Sequence, residues 1–193
     1  MKDLARIVII VIVLVLLVGL AYPLFTALVG RLDGKSADGQ IIYLNGKPVG
    51  AKNIGQKFDS KGFFHGRPSA AGNGYDAMHS GASNLGPENP QLIRDAKARI
   101  AELLKENPGL KVKDIPVELV TGSASGLDPD ISVESASLQV KRISGATGIP
   151  TSKLRELIRK HTSGRTLGIF GEPRVNVLEL NLEIIRLPKE AGR

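Results

Sequence analysis

Three histidines, two serines inside a glycine-flanked turn and one incomplete phosphate loop are the groups in this 193-residue chain whose types and spacing could do chemistry. Gly122-Ser123-Ala124-Ser125-Gly126 has the outline of a hydrolase nucleophile elbow. The central position of Gly-x-Ser-x-Gly, however, holds Ala124, so no nucleophile stands where the strained turn would present one. A catalytic triad is defined by geometry and not by order along the chain, so Ser123 or Ser125 with Asp128 and one of His65, His79 or His161 stays open as an alternative. The competing reading is a capped loop whose hydroxyls hold backbone N–H groups. Gly30-x-x-x-Gly34-Lys35-Ser36 is one residue short of a phosphate-binding loop and follows an apolar run, where the cradle needs a strand before it. Metal ligation finds no support either: the histidines lie 14 and 82 residues apart, with no His-x-x-x-His pair and no clustered acids. The absence of cysteine excludes a disulfide framework, a zinc ribbon, an iron–sulfur cluster and a cysteine nucleophile. No catalytic residue and no metal site are expected on this reading.

Charge is the second chemical signal. The chain has a formal net charge of +7 and a pI near 9.7. Residues 141–174 hold eight cations (Lys141, Arg142, Lys153, Arg155, Arg159, Lys160, Arg165, Arg174) against Glu156 and Glu172, a net +6. A solvated face is the plain interpretation, and a patch facing an acidic partner or anionic lipid headgroups is the functional one. No aromatic interleaving accompanies these cations, which argues against nucleic acid.

These groups need a scaffold, and the scaffold starts in the membrane. From Ile7 to Gly30 there is no charged side chain. At about 1.5 Å per residue a helix of that length reaches about 36 Å, enough to cross a hydrocarbon layer of about 30 Å. Pro23 is expected to kink or loosen it, and Tyr22 to anchor it at the outer interface. Lys2, Arg6 and the small-x-small run Gly19-Leu20-Ala21 also fit a cleaved signal peptide, but the apolar character continues through Leu24, Phe25 and Val29, which favours an uncleaved anchor. The expected order is a cytoplasmic tail (1–6), a transmembrane helix (7–30), a polar tether (31–40) and an extracytoplasmic domain (41–193).

Beyond the tether, Ile41–Leu44 reads as a strand, Asn45-Gly46 as a two-residue hairpin turn, and 47–54 as a returning edge strand that tolerates Pro48. Residues 63–90 contain five Gly, three Pro, three Ser and three Asn, yet also Phe63, Phe64, Tyr75, Met78 and Leu85, the anchors of a functional loop. A helix is expected after Asn89-Pro90 to about Asn107, with Leu92, Ile93, Ala96, Ile100, Leu103 and Leu104 at helical spacing. Pro116 introduces a short strand at 117–120. A second helix starts at a Ser132 cap, and a third, near Ser152 to His161, presents Leu154, Leu157 and Ile158. Strict alternation of Leu178, Leu180, Leu182 and Ile184 with polar residues reads as a terminal strand, with a bulge at Val177-Leu178. The fold class is α+β: a few strands and about three helices behind one membrane helix.

Five segments in order, IGQKF (54–58), FFHGRPSA (63–70), SNLGPENP (83–90), VTGSASGLDPDIS (120–132) and GEPRVNVLELNL (171–182), together with the N-terminal span, resemble the C subunit of the Kdp-type potassium-transporting ATPase. The resemblance covers essentially the whole chain. Departures are local: Gly81-Ala82-Ser83-Asn84 where the family usually has Gly-Gly-Ser-Asn, Asp130 in place of a His, and Lys141–Thr147 in place of an Ala-rich basic stretch. The resemblance implies a non-catalytic subunit in a bacterial or archaeal plasma membrane, with no cofactor of its own. Its implied partners are a channel-like subunit that carries potassium, a P-type ATPase subunit that uses ATP with Mg, often a small single-span peptide, and membrane lipid. It also implies support of assembly and a catalytic-chaperone role that raises the ATPase subunit's affinity for ATP. The residues expected to face partners are Phe63, Phe64, Arg67, Tyr75, Asn84, Ser123, Ser125 and Asp128, with core filling as the competing place for Phe63 and Phe64.

Overall fold

The computed structural model describes residues 2–32, 34 and 36–187. Met1 of the expected tail, Asp33 and Lys35 of the expected tether, Lys35 of the incomplete phosphate loop, and 188–193 of the expected exterior domain lie outside the described residues. The chain divides into two compact units, Met1–Ala51 and Lys52–Arg193.

In the first unit one continuous helix runs Lys2–Gly30, exposed along its length and apolar enough to cross a membrane. It comprises α1 (Lys2–Leu16), a π-helical turn (Leu17–Ala21) and α2 (Tyr22–Gly30). The widened turn is a response to Pro23. Proline has no N–H to offer one turn back and its ring crowds the carbonyl there, and a π-turn is one of the ways a helix absorbs such a residue. Further along, β1 (Ile41–Leu44) and β2 (Lys47–Ala51) form an antiparallel hairpin turning on Asn45 and Gly46, both at positive φ. Pro48 pairs with Tyr43 beside a register shift between Ile42 and Tyr43, where a missing N–H does least damage. The returning strand ends at Ala51, short of the expected Ile54.

The second unit is mixed helix and sheet. Its antiparallel sheet has the order β3 (Asp130–Ser132), β5 (Arg174–Asn176), β4 (Thr162–Ser163). Among the described residues four α-helices accompany it: α3 (Pro90–Glu106), α4 (Val133–Thr147), α5 (Thr151–Lys160) and α6 (Val177–Arg186). The last residue of β3 caps α4, Ser132 Oγ accepting from the Ser135 N–H at 3.0 Å. The last residue of β5 does the same for α6, Asn176 Oδ1 accepting from the Glu179 N–H at 3.1 Å. Asn89 caps α3 with Pro90 at its start, as expected. Ile131, Ala136, Val140, Ile143, Leu154, Leu157, Ile158, Val175, Leu180 and Ile184 close on Phe64 to make the core. No residue of α3 is buried, so its expected apolar stripe is only half covered.

Two expected strands are helical. Val117–Leu119 is one 3-10 turn after Pro116, which leaves Val117 exposed and tucks Leu119 inward. The terminal segment is α6. Along it Val177, Leu180, Asn181 and Ile184 form the i, i+3, i+4, i+7 stripe of a helix, and all four are buried. A polar residue in that stripe hides the period, while the Leu/Glu alternation imitates a strand. Leu and Glu nevertheless rank high among helix formers, and Asn176 with Glu179 three residues on forms a start signal that a strand would not need. The consecutive Val177-Leu178 pair therefore marks the start of a helix and not a bulge.

Candidate functional site

Residues 52–89 contain no helix or strand, so the buried part of this loop must find partners for its backbone elsewhere. It finds them in three side chains. The Phe64 N–H donates to Asn181 Oδ1 at 2.7 Å, and Asn181 Nδ2 donates to the Phe64 carbonyl at 2.9 Å. The next peptide repeats the arrangement with Gln139 of α4: the His65 N–H donates to Oε1 at 2.7 Å and Nε2 donates to the His65 carbonyl at 3.0 Å. Arg142, one turn further along α4, donates to the carbonyls of Lys61 at 2.7 Å and Phe63 at 3.0 Å and to Gln139 Oε1 at 2.6 Å. Two carboxamides and a guanidinium thus do for residues 61–65 what a neighbouring strand would do. Asn181 and Gln139 are absent from the residues singled out in the sequence, and Arg142 enters there only as one cation of the basic window. Arg142 in particular is buried, and so does not belong to the exposed basic patch.

The loop then closes against the turn at 121–130. Arg67 Nη1 meets Asp128 Oδ2 at 3.0 Å and the Tyr75 hydroxyl donates to the Arg67 carbonyl. Ser69 Oγ donates to the Gly126 carbonyl at 2.5 Å and accepts from the Tyr75 N–H at 2.7 Å. The Gly81 N–H and the Ser80 hydroxyl both donate to the Ser125 carbonyl, at 2.8 and 2.9 Å. Gly126 sits at φ +68°, and a Cβ there would lie 2.5 Å from the Gly81 carbonyl oxygen and 2.6 Å from the Ala71 nitrogen, so only glycine fits. Burial, with the Asp128 charge adding to it, pushes the Tyr75 phenol up to about 12, which keeps it a hydrogen-bond donor at any ordinary pH.

The residues expected to face partners therefore divide. Phe64 is fully buried in the domain's own core, and Phe63 packs its ring edge-on against Phe58 with centroids 5.7 Å apart. Arg67, Tyr75 and Asp128 come together in the contacts just described. Ser123 is buried with its Oγ unpartnered, whereas Ser125 and Asn84 are exposed. Ser125 Oγ accepts from the Leu127 N–H at 3.1 Å. Among the described residues no histidine is hydrogen-bonded to either serine. His79 is held by Asp76 at 2.7 Å, and His65 lies 3.1 Å from the Ser60 carbonyl and 3.6 Å from Glu106 Oε2.

Of the basic window, Arg165, Arg174 and Lys153 are paired with Glu172, Asp130 and Glu156. Among the described residues Lys141, Arg155, Arg159 and Lys160 make no ion pair. A cleft of about 490 Å³ lies where α3 meets the loop, lined by His65, Arg67, Tyr75, Arg99, Glu106 and Arg142 among others. Among the described residues no group of three or more His, Asp or Glu side chains is placed to hold a metal ion.

His65 gives this region a pH dependence. Burial pushes its imidazole below the ordinary value of 6.5 and the Arg142 guanidinium pushes the same way, against the opposing pull of the Ser60 carbonyl and the Glu106 and Asp59 carboxylates. The unfolded chain therefore binds the proton more readily than the folded one. The stabilising difference is present above about pH 6.5 and is lost as pH falls below it. Melting temperature against pH should accordingly decline below pH 6.5, and His65→Asn should flatten that part of the curve; an unchanged slope would remove His65 from the account.

The sequence pattern of a known family, described as "KdpC: K+-transporting ATPase, c chain", matches residues 4–186. The chain is 47% identical over 184 residues to the potassium-transporting ATPase KdpC subunit of Koribacter versatilis, covering 95% of this chain and 94% of that one. The same-named subunit of Caldanaerobacter subterraneus is 45% identical over 185 residues, 95% of each chain. That of Bacteroides fragilis is 43% identical over 188 residues, 97% of this chain and 98% of that one.

Proposed function

The chain belongs to the KdpC family of K+-transporting ATPase c chains, and from that premise we propose that it is a non-catalytic subunit of an ATP-driven potassium uptake complex in a bacterial or archaeal plasma membrane. Its partners in this reading are a channel-like subunit carrying potassium, a P-type ATPase subunit using ATP with Mg, often a small single-span peptide, and membrane lipid. The tail at 1–6 stays in the cytoplasm, 7–30 spans the membrane, 31–40 is a tether and 41–193 lies outside.

The observation that carries the non-catalytic role is where the reactive-looking groups are engaged. Arg67, Tyr75 and Asp128 hold one loop to another, Ser125 caps its own turn, and among the described residues the buried Ser123 hydroxyl makes no hydrogen bond. What remains for another subunit is the outer surface of the loop pair, where Met78, Asn84 and Ser125 are exposed.

A domain on the far side of the membrane from ATP acts on nucleotide affinity through a coupling between conformations of the ATPase subunit. Couplings of this kind change affinity by about 5–150-fold. The assay is potassium-stimulated ATP hydrolysis by the complex purified with and without this chain. The expected result is an apparent KM for ATP at least about fivefold lower with the chain present. Equal KM values would remove the chaperone role, and ester or ATP hydrolysis by the isolated chain, lost in Ser123→Ala or Ser125→Ala, would replace the subunit reading with an enzyme.

A further inference from the structure

Between β4 and β5 the chain leaves the sheet as a short protruding hairpin. Its base is the Ser163–Arg174 pair of the sheet, and its tip is closed by reciprocal hydrogen bonds between Thr166 and Phe170 at 2.8 and 2.9 Å. Every residue from 163 to 174 is exposed. At the tip stand three large apolar side chains, Leu167 (84% exposed), Ile169 (70%) and Phe170 (62%). Solvated turns do not need such residues, and a contiguous apolar tip on a polar neck marks a contact surface.

The tip is preformed. Leu167 is held at φ +55°, a region that a branched side chain rarely enters, followed by Gly168 at +75° and Gly171 at +76°. Arg165 Nη2 fastens the neck by donating to both oxygens of Glu172, at 2.7 and 2.8 Å. A hairpin fixed in this way loses little conformational freedom on docking.

We propose that this hairpin is a docking knob that seats in an apolar pocket on another subunit of the transport complex, a pocket lined with hydrogen-bond donors and rimmed by carboxylates. The inference rests on the subunit reading above. A protein pocket fits better than a bilayer on one ground. Among the described residues the carbonyls of Leu167, Gly168 and Ile169 accept no hydrogen bond, which a pocket can remedy and hydrocarbon cannot. The neck's own cations are engaged, Arg165 with the exposed Glu172 and Arg174 with Asp130. The acidic rim follows from charge complementarity: Arg155, Arg159 and Lys160 of α5, which leads directly into β4, are exposed and unpaired among the described residues.

The chain has no cysteine, so Ile169→Cys in the full-length protein places a unique thiol at the tip. Its reaction with a water-soluble maleimide is followed by mass on this chain in three settings: alone in detergent, alone in phosphatidylglycerol vesicles, and co-expressed and purified with the other subunits. The expected result is free reaction in the first two and at least about tenfold slower reaction in the complex. Phe170→Ala, outside the core and expected to leave the melting temperature of the chain unchanged, should weaken co-purification by about tenfold. Equal labelling in free and assembled chain would overturn the knob while leaving the subunit reading intact, because the complex would still have formed. Protection in vesicles alone would assign the tip to lipid and overturn the protein pocket. A wild-type chain that co-purifies with no other subunit would defeat the subunit reading and this proposal with it.

Discussion

Asn181→Ala is expected to destabilise the Lys52–Arg193 unit by about 2–6 kcal/mol, because each of the two buried groups it leaves unpaired costs about 1–3 kcal/mol. Both lie on Phe64, whose ring is fully buried in the core and whose N–H and carbonyl are satisfied by this one carboxamide. Water cannot take its place without opening the packing around the phenyl ring. For a unit of this size the loss corresponds to a fall of about 5–20 °C in melting temperature. Asn181→Asp should be no better, since a carboxylate can accept from the Phe64 N–H but cannot donate to its carbonyl, and it brings a buried charge. The check is thermal and urea unfolding of the full-length chain and its two variants. A shift smaller than about 2 °C would mean that the Phe64 peptide finds other partners and that the carboxamide does not hold the loop.

Arg142→Met carries the second large effect, about 3–5 kcal/mol, the cost of removing one partner from a buried charge network. Methionine keeps the apolar stem against the helix but strips the donors from the carbonyls of Lys61 and Phe63 and from Gln139 Oε1. It also removes the cation 3.8 Å from Glu106. Arg142→Lys should recover less than half of the loss, because an ammonium cannot span two carbonyls as a planar guanidinium does. Hydrogen exchange separates local from global failure: protection should vanish first at Phe64 and His65, whose N–H groups the network holds in place. Loss confined to α4, with residues 61–65 still protected, would show that Arg142 matters for its helix and not for the loop.

How much of this was legible in the sequence follows from how local each signal is. The Asn45-Gly46 turn, the Asn89-Pro90 start, the Ser132 cap and the Leu154/Leu157/Ile158 face are encoded within a few residues, and all four are present in the structure. The nature of α6 was hidden by its most consequential residue. Asn181 occupies a core position of the stripe, and a pattern search that counts apolar side chains reads it as solvent-facing. The loop anchors were illegible for a different reason. Gln139 and Asn181 lie 74 and 117 residues from the peptides they hold, and an isolated carboxamide in a helix carries no mark of a distant partner. Arg142 counted as surface charge because composition registers its sign and not its burial. For Arg67 and Asp128, the two segments were recognised as unusual, but nothing in either states that they face each other.

The side-chain clamp on residues 61–65 also bears on the order in which the protein can be made. Phe64 emerges from the ribosome long before Asn181, so the segment that ends in the centre of the core has to wait, unpaired, for the last helix among the described residues. Folding in step with synthesis, one piece after another from the N-terminus, is closed to this unit. Its central contacts are among the most distant in sequence, and such topologies form late and slowly. During that interval Phe63 and Phe64 are exposed on an unsatisfied strand-like stretch, the kind of segment that chaperones bind and that aggregates when they do not. A ribosome that stops short of Asn181 would therefore leave a chain with its middle open, a substrate for proteolysis.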